Sequence, residues 1–291
     1  MKLSLVIATR NRAASLSQFL QRLASMPSPC DWEIVIADNG SSDDTIKILD
    51  FWTSRLPLKT VHVPVPGKSR ALNAALALVS GDLILFTDDD VEPKPDWLIL
   101  WLDCENRYPN SPVFGGRITV DEASAPSWIV SSVNLQEMLL SRHDLGCKDQ
   151  SYPFNRYPIG PNMAVRRDAL IASGAQWAED FGPGTPVPLG DERAFLGQIS
   201  KPEDMDRVYL ADVAVTHSLE VGRLNRVNCW KRCFLGGLAA GRIDRSMPAR
   251  RVPAGAPAMS RLRTCRSLSE LVAMVCRASG VLAGRWGYWR H

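Results

Sequence analysis

In the first part of the chain, short apolar runs alternate with segments whose apolar positions return every three or four residues. Residues 3–8, apolar except for Ser4, read as a first strand, and the run ending at Thr87 as a continuously apolar strand buried in a parallel sheet. Across 13–24, Leu16, Phe19, Leu20 and Leu23 repeat at helical spacing. The pattern then predicts a strand over 33–37, a helix over 43–53 opened by Ser41 or Ser42, a short strand over 59–63, an Ala/Leu-rich helix over 69–79 and a strand over 83–87. Such alternation predicts βαβ units and a parallel sheet.

The second half is less regular. Helices are expected over 97–108, 168–173 and 191–199, and strands over 113–120, 163–166 and 207–215. Residues 121–159 show no clear period; their Pro- and Trp-containing stretch is a candidate lid over a cleft. Residues 179–190, rich in Gly and Pro, form a loop. After His217 the pattern predicts a helix over 224–241 and a Pro/Ala/Arg-rich linker over 246–260. Leu268, Leu271, Val272, Val275 and Leu282 then stand at near-helical spacing. Two readings of this last segment stay open: a helix packed on the body, or an amphipathic helix on a membrane surface.

Composition adds little to this picture, but charge and cysteine usage add more. The chain has 291 residues, 45% hydrophobic and 22% charged, the balance of an ordinary globular protein. Its first apolar run is too short for a signal-peptide core, and no stretch of about 18 uncharged apolar residues predicts a spanning helix. Seven scattered cysteines without a CxxC pair point to reduced thiols in a cytosolic compartment. The net charge of +3 hides an asymmetry: residues 1–220 carry 20 Lys/Arg against 29 Asp/Glu, and 221–291 carry 14 against 2. A basic tail on an acidic body suggests an anionic partner such as a lipid surface; aromatic interleaving that would mark nucleic-acid binding is missing.

The chemistry concentrates where predicted strands end. Asp88-Asp89-Asp90 closes the apolar run 83–87. Ligands of open α/β sheets sit outside the carboxyl ends of strands, and a divalent cation shared between carboxylates and phosphate oxygens suits that place. The plainer alternative is a solvated acidic turn. Thr9-Arg10-Asn11-Arg12 follows the first strand and offers a hydroxyl and cationic donors. Asp38-Asn39-Gly40-Ser41-Ser42-Asp43 follows the second, where Asp38 could accept from a ribose or a base imide. Gly67-Lys68-Ser69-Arg70 places cations at a helix start, an anion site that lacks the P-loop pattern. Gly190-Asp191-Glu192 opens another helix, where a carboxylate stays ionised and can act as a general base.

In order and spacing these clusters, with Gly81-Asp82, Pro95-Asp96-Trp97-Leu98 and Gly160-Pro161-Asn162-Met163-Ala164, resemble the family 2 glycosyltransferases over about residues 3–235. The resemblance implies a GT-A fold: a Rossmann-like α/β domain with a mostly parallel central sheet flanked by helices. Its domain would cover 1–220, with a nucleotide-sugar half near 1–120 and an acceptor half near 121–220. Residues 221–291 would form a basic helical extension.

The resemblance further implies inverting transfer from a nucleotide-diphosphate sugar, UDP-linked by family frequency, to a hydroxyl acceptor, carbohydrate or lipid-linked, in bacterial polysaccharide or glycolipid biosynthesis. It also implies a divalent metal, Mn²⁺ or Mg²⁺. Asp90 would bind the metal, Asp88 would face the ribose or the metal's water shell, and Asp89 would lie beside them. Thr9 and Arg10 would sit by the nucleoside, Asp38 by the base, and Lys68 or Arg70 along the nucleotide. His217 would complete the metal or diphosphate site and Arg223 would steady the diphosphate. Where family members often carry Glu-Asp, with the Asp as base, this chain has Asp191-Glu192, so either could serve. The implied location is the cytoplasm, peripheral on the inner face of the membrane. A sugar-phosphate nucleotidyltransferase is a competing reading, weakened by the absence of glycine in 8–12; a non-catalytic sugar-nucleotide binder is another.

Overall fold

The computed structural model describes residues 1–29, 31–154, 156–201, 204, 206–219, 221–246, 265 and 267–286. Its strands are β1 Leu3–Thr9, β2 Trp32–Asp38, β3 Leu58–His62, β4 Leu83–Phe86, β5 Val91–Pro93, β6 Val113–Val120, β7 Gln150–Ser151, β8 Met163–Arg166 and β9 Arg207–His217. Its α-helices are α1 Ala13–Ser25, α2 Thr45–Thr53, α3 Lys68–Leu76, α4 Trp97–Arg107, α5 Ser127–Val130, α6 Val133–Leu139, α7 Arg167–Ser173, α8 Asp191–Ile199, α9 Arg226–Ser246 and α10 Leu268–Trp286. The chain divides into two compact units. The first comprises 1–119, 143–179 and 192–217; the second comprises 120–142, 180–191 and 218–291.

The α/β architecture predicted from sequence is present in the first unit. The sheet runs β3-β2-β1-β4-β8-β6-β9-β5, with β7 on β9. Strands β3, β2, β1 and β4 are parallel, whereas β8 joins β4 antiparallel and the pairs β6–β8 and β5–β9 are also antiparallel. Within the parallel part, β1, β2 and β4 are the strands with apolar runs, while the edge strand β3 is largely exposed. Those runs are buried on both faces with a period of two. Leu3, Leu5 and Ile7 of β1 pack with Leu16, Phe19 and Leu20 of α1 and with Trp97 and Trp101 of α4. Val6, Val35 and Ile84 point the other way, toward Ala71, Leu72 and Ala75 of α3 and Phe195 and Leu196 of α8. Because β1, β2 and β4 are parallel and in register from Leu3, Trp32 and Leu83, their carboxyl ends open on one edge.

The second unit has its own apolar cluster, formed by Ile129, Leu135, Leu139, Leu140, Cys229, Cys233 and Ala273. The two cysteines are buried as small hydrophobes. Residues 121–142, unassigned from sequence, form the short helices α5 and α6. Ser132 caps α6 by accepting from the Leu135 amide.

Helices α9 and α10 pack glycine to backbone. A Cβ at Gly237 or Gly241 would meet the carbonyls of Arg277 or Val281, and one at Gly280 or Gly284 those of Phe234 or Leu238. The contacting numbers rise together, so the two helices run parallel, each presenting a Gly-xxx-Gly pair that permits close approach. Among the described residues, no helix is long and apolar enough to cross a membrane.

Candidate functional site

Three loops leave the parallel strands at the same edge, and short hydrogen bonds lace them together. Thr9 and Asp38 are cross-strand neighbours at the ends of β1 and β2, and the Asn39 amide donates to the Thr9 carbonyl at 2.8 Å. Asn11, in the left-handed region at φ 51°, donates its amide to Ser41 Oγ at 2.9 Å and accepts from the Ser42 amide at 2.7 Å. The Gly67 amide donates to Asn39 Oδ1 at 2.9 Å, which ties the start of α3 to the same knot. Asn and Gly residues that read as turn formers in sequence are thus what hold one loop against the next.

The buried Asp38 has both oxygens engaged. Oδ1 accepts from the Ser41 amide at 3.1 Å, and Oδ2 lies 2.6 Å from His62 Nδ1. His62 was missed from sequence because it belongs to no motif. The signal was the register of β2 and β3, which pairs Asp38 with His62.

The three consecutive aspartates go to three different environments. Asp88 Oδ1 accepts from Lys68 Nζ at 2.7 Å. Burial works to raise its pKa, but the Lys68 charge and hydrogen bond prevail and hold the carboxyl below the usual aspartate value. Asp89 turns to Thr9, whose hydroxyl donates to Oδ2 at 2.5 Å. Burial pushes Asp89 up to about 7 against the pull of that bond. Asp90 is pushed upward by burial and then by the negative charge of Asp88. Its Oδ2 is 3.5 Å from an Arg12 guanidinium nitrogen. Its Oδ1 is 3.6 Å from His217 Nε2 and makes no hydrogen bond. His217 Nδ1, also buried, makes none. The antiparallel pairing of Val91 with His217 is what delivers this histidine to Asp90 from more than a hundred residues away.

These orphaned atoms bear on the metal that the resemblance implies. A buried carboxylate oxygen and a buried imidazole nitrogen without partners are costly unless something else satisfies them. Among the described residues, no group of three His, Cys, Asp or Glu side chains is placed to hold an ion by itself. The donor set therefore fits a hard cation that takes one or two protein ligands and fills its remaining positions with phosphate and water oxygens.

The pair Asp191-Glu192 is split by the start of α8. Asp191 is 3% exposed and faces the Gly182 turn, where a Cβ at Gly182 would lie 2.8 Å from its Oδ2. Glu192 Oε1 instead accepts from the Gly160 amide at 3.3 Å. A Cβ at Gly160 would lie 2.9 Å from that oxygen and 3.7 Å from Lys68 Nζ, so Glu192 stands beside the Lys68–Asp88 pair. Arg70 binds Glu179 Oε2 through Nε and Nη2, at 3.0 and 2.7 Å. Arg10 is exposed, and Arg223 closes a 3-10 turn while its side chain lies outside the described atoms. Asn162, read from sequence as acceptor-side, is wholly buried. It accepts from Trp97 Nε1 at 2.9 Å and donates to the Arg117 and Val213 carbonyls, both at 3.0 Å. Its visible task is to join α4, β6 and β9.

The family model described as glycosyl transferase family 2 matches residues 4–174, more than half of the chain. The chain belongs to this family. Glucosyl-3-phosphoglycerate synthase of Mycobacterium tuberculosis is 30% identical over 203 residues, which cover 65% of this chain and 59% of the relative. Poly(ribitol-phosphate) beta-N-acetylglucosaminyltransferase TarS of Staphylococcus aureus is 33% identical over 95 residues, 31% of this chain. The chain thus spans only 16% of the length of TarS. The crystal structure of S. aureus TarS 1-349 in complex with UDP-GlcNAc aligns with a TM-score of 0.58 at 14% identity, covering 99% of this chain and 91% of that one. Mannosyltransferase PcManGT from Pyrobaculum calidifontis, in complex with GDP-Man and Mn²⁺, aligns with a TM-score of 0.60 at 17% identity, covering 99% and 76%. At these identities the structures show a shared fold, the GT-A glycosyltransferase fold that the opening strand and acidic cluster led us to expect.

Proposed function

We propose that this family member transfers a sugar, with inversion, from a nucleoside-diphosphate sugar to an acceptor hydroxyl. The observation that carries the reading is the contrast between Asp88 and Asp90. Lys68 neutralises the first, while the second keeps an unbonded oxygen 3.6 Å from His217 Nε2. Mn²⁺ or Mg²⁺ held by Asp90 and His217, with Asp88 facing it, would neutralise the charge that grows on the departing diphosphate. Lys68 brings a fixed positive charge to the same place, Arg223 is proposed to steady the diphosphate, Arg70 to line the nucleotide and Arg10 to sit by the nucleoside. Asp38 is proposed to meet the nucleobase and Thr9 the nucleoside, with Asp89 behind Thr9 as its support. A uracil imide N–H suits a carboxylate acceptor, and the TarS structure holds UDP-GlcNAc, so we take UDP as the donor nucleotide.

Glu192 is the proposed general base. Its carboxylate stands beside Lys68 and Gly160, whereas Asp191, the second candidate, is enclosed by the Gly182 turn. The acceptor is proposed as a carbohydrate or lipid-linked hydroxyl of polysaccharide or glycolipid synthesis. The proposed location is the cytoplasm, with the basic C-terminal segment meeting an anionic membrane.

Incubation with UDP- and GDP-linked sugars, with and without Mn²⁺ after chelation, tests the reading. Metal-dependent release of nucleoside diphosphate is expected. A chain that binds these donors and releases nothing is a binding protein; release that ignores metal removes the cation from the scheme.

A further inference from the structure

Helix α10 carries an exposed surface that the transfer chemistry does not use. Its inward side is Glu270, Ala273, Met274, Gly280 and Gly284, all buried. Its exposed residues are Leu268, Leu271, Val275, Ser279, Leu282 and Trp286, separated by steps of three and four. They therefore form one stripe, about 27 Å long at the helical rise. The five apolar members are between 40% and 76% exposed, and the stripe contains no charge. An exposed face of this length, apolar but for Ser279, marks an interaction surface.

The charges around it choose the partner. The region 221–291 has 14 Lys/Arg and only two acids, Asp244 and Glu270. Both acids are buried and bonded within the unit: Asp244 accepts from Arg285 Nη2 and Glu270 from Asn134 Nδ2, each at 2.7 Å. In sequence, residues 245–267, which lead into α10, contain six arginines and no acid, and Tyr288 and Trp289 follow the helix.

We propose that α10 docks flat on an anionic phospholipid bilayer, its apolar stripe at the acyl boundary, with the basic charge of the same segment drawing it to the headgroup phosphates. Charge complementarity selects the bilayer over a second copy of this chain, since pairing two such stripes would bring two strongly basic segments together. The inference deepens the membrane partner proposed above by naming the helix face that makes the contact. It does not depend on the transfer reaction.

The test is co-sedimentation of the full chain with vesicles of phosphatidylcholine alone and of phosphatidylcholine mixed with phosphatidylglycerol. Donor hydrolysis is read in parallel. The unaltered chain is expected to sediment with the mixed vesicles. Leu271→Glu with Leu282→Glu should lower that partition about tenfold or more, and Ser279→Leu, which fills the one polar gap, should raise it. Both variants should keep the hydrolysis rate of the unaltered chain. Equal sedimentation of all three proteins, or none with mixed vesicles, overturns the proposal. So does a dimer, seen by light scattering, that the double variant dissolves. Absence of hydrolysis in the unaltered chain would defeat the transfer reading and leave the partition result standing.

Discussion

The two ends of the same parallel strands treat buried carboxylates in opposite ways. Glu33, near the start of β2, accepts from Ser4 Oγ at 2.6 Å, the Ser80 amide at 2.6 Å, Ser80 Oγ at 2.9 Å and Lys59 Nζ at 2.7 Å. Burial acts to raise its pKa, but these bonds outweigh it and bring the group down to about 2. Asp90, past the far end of β4, is also withdrawn from water. It keeps an unbonded oxygen, and its pKa is pushed up. A saturated carboxylate can only hold the fold together. An unsaturated one is costly to the empty protein and available to a ligand. The comparison sets an amino edge whose buried carboxylate is fully bonded against a carboxyl edge whose buried carboxylate keeps an unbonded oxygen, which is the edge proposed to bind the donor.

Five substitutions break or sharpen this contrast. Glu192→Gln is expected to lower kcat by about 10²–10⁴-fold while leaving donor affinity near its original value. Steady-state turnover beside donor titration reads both, and an equal loss from Asp191→Asn would move the base. Asp90→Asn should lower turnover about 10²–10³-fold. It should leave thermal stability unchanged or higher, because it removes a buried negative charge that Asp88 repels and whose Oδ1 makes no hydrogen bond. A fall in melting temperature would place Asp90 with Glu33 rather than opposite it.

Glu33→Gln should do the reverse, costing about 3 kcal/mol of stability with donor affinity and kcat retained. The pH dependence has a definite sign. Glu33 binds its proton less readily in the folded chain than in the unfolded one, where its value is near 4.5. Its contribution is complete above about pH 4.5 and disappears as pH falls toward about 2, so stability rises with pH across that window. Denaturant titrations of the two proteins at neutral and acid pH should converge as the solution is acidified. The smallest effect is expected from His62→Ala. Loss of one hydrogen bond to Asp38 should weaken donor binding by roughly 1 kcal/mol, a rise of severalfold in KM with kcat kept. An unchanged KM would make His62 a bystander.

Much of the site was legible because its loops follow strong strands. Runs such as 3–8 and 83–87 can only be buried, and buried parallel strands bring Thr9, Asp38 and Asp88–Asp90 to one edge. What each residue does there was not legible. Asp88, Asp89 and Asp90 are chemically identical in sequence, and Lys68, Thr9 and His217 distinguish them only in space. The same limit applies to Asn162, whose three bonds come from α4, β6 and β9. It applies also to the four glycines between α9 and α10, which look like helix weaknesses until the facing backbone is seen.

The sequence by itself determined the α/β class, the family, and the residues that could carry charge to the nucleotide end. Those properties are written in local periodicity and in motifs that need no distant partner. Tertiary structure alone decided that Asp90 is the carboxylate with an unbonded oxygen, and that Glu192 accepts from the Gly160 amide while Asp191 faces the Gly182 turn. It also decided that the last helix buries its glycines and leaves a leucine-rich stripe in solvent. Ionisation, burial and hydrogen bonding depend on neighbours that the chain meets only after folding.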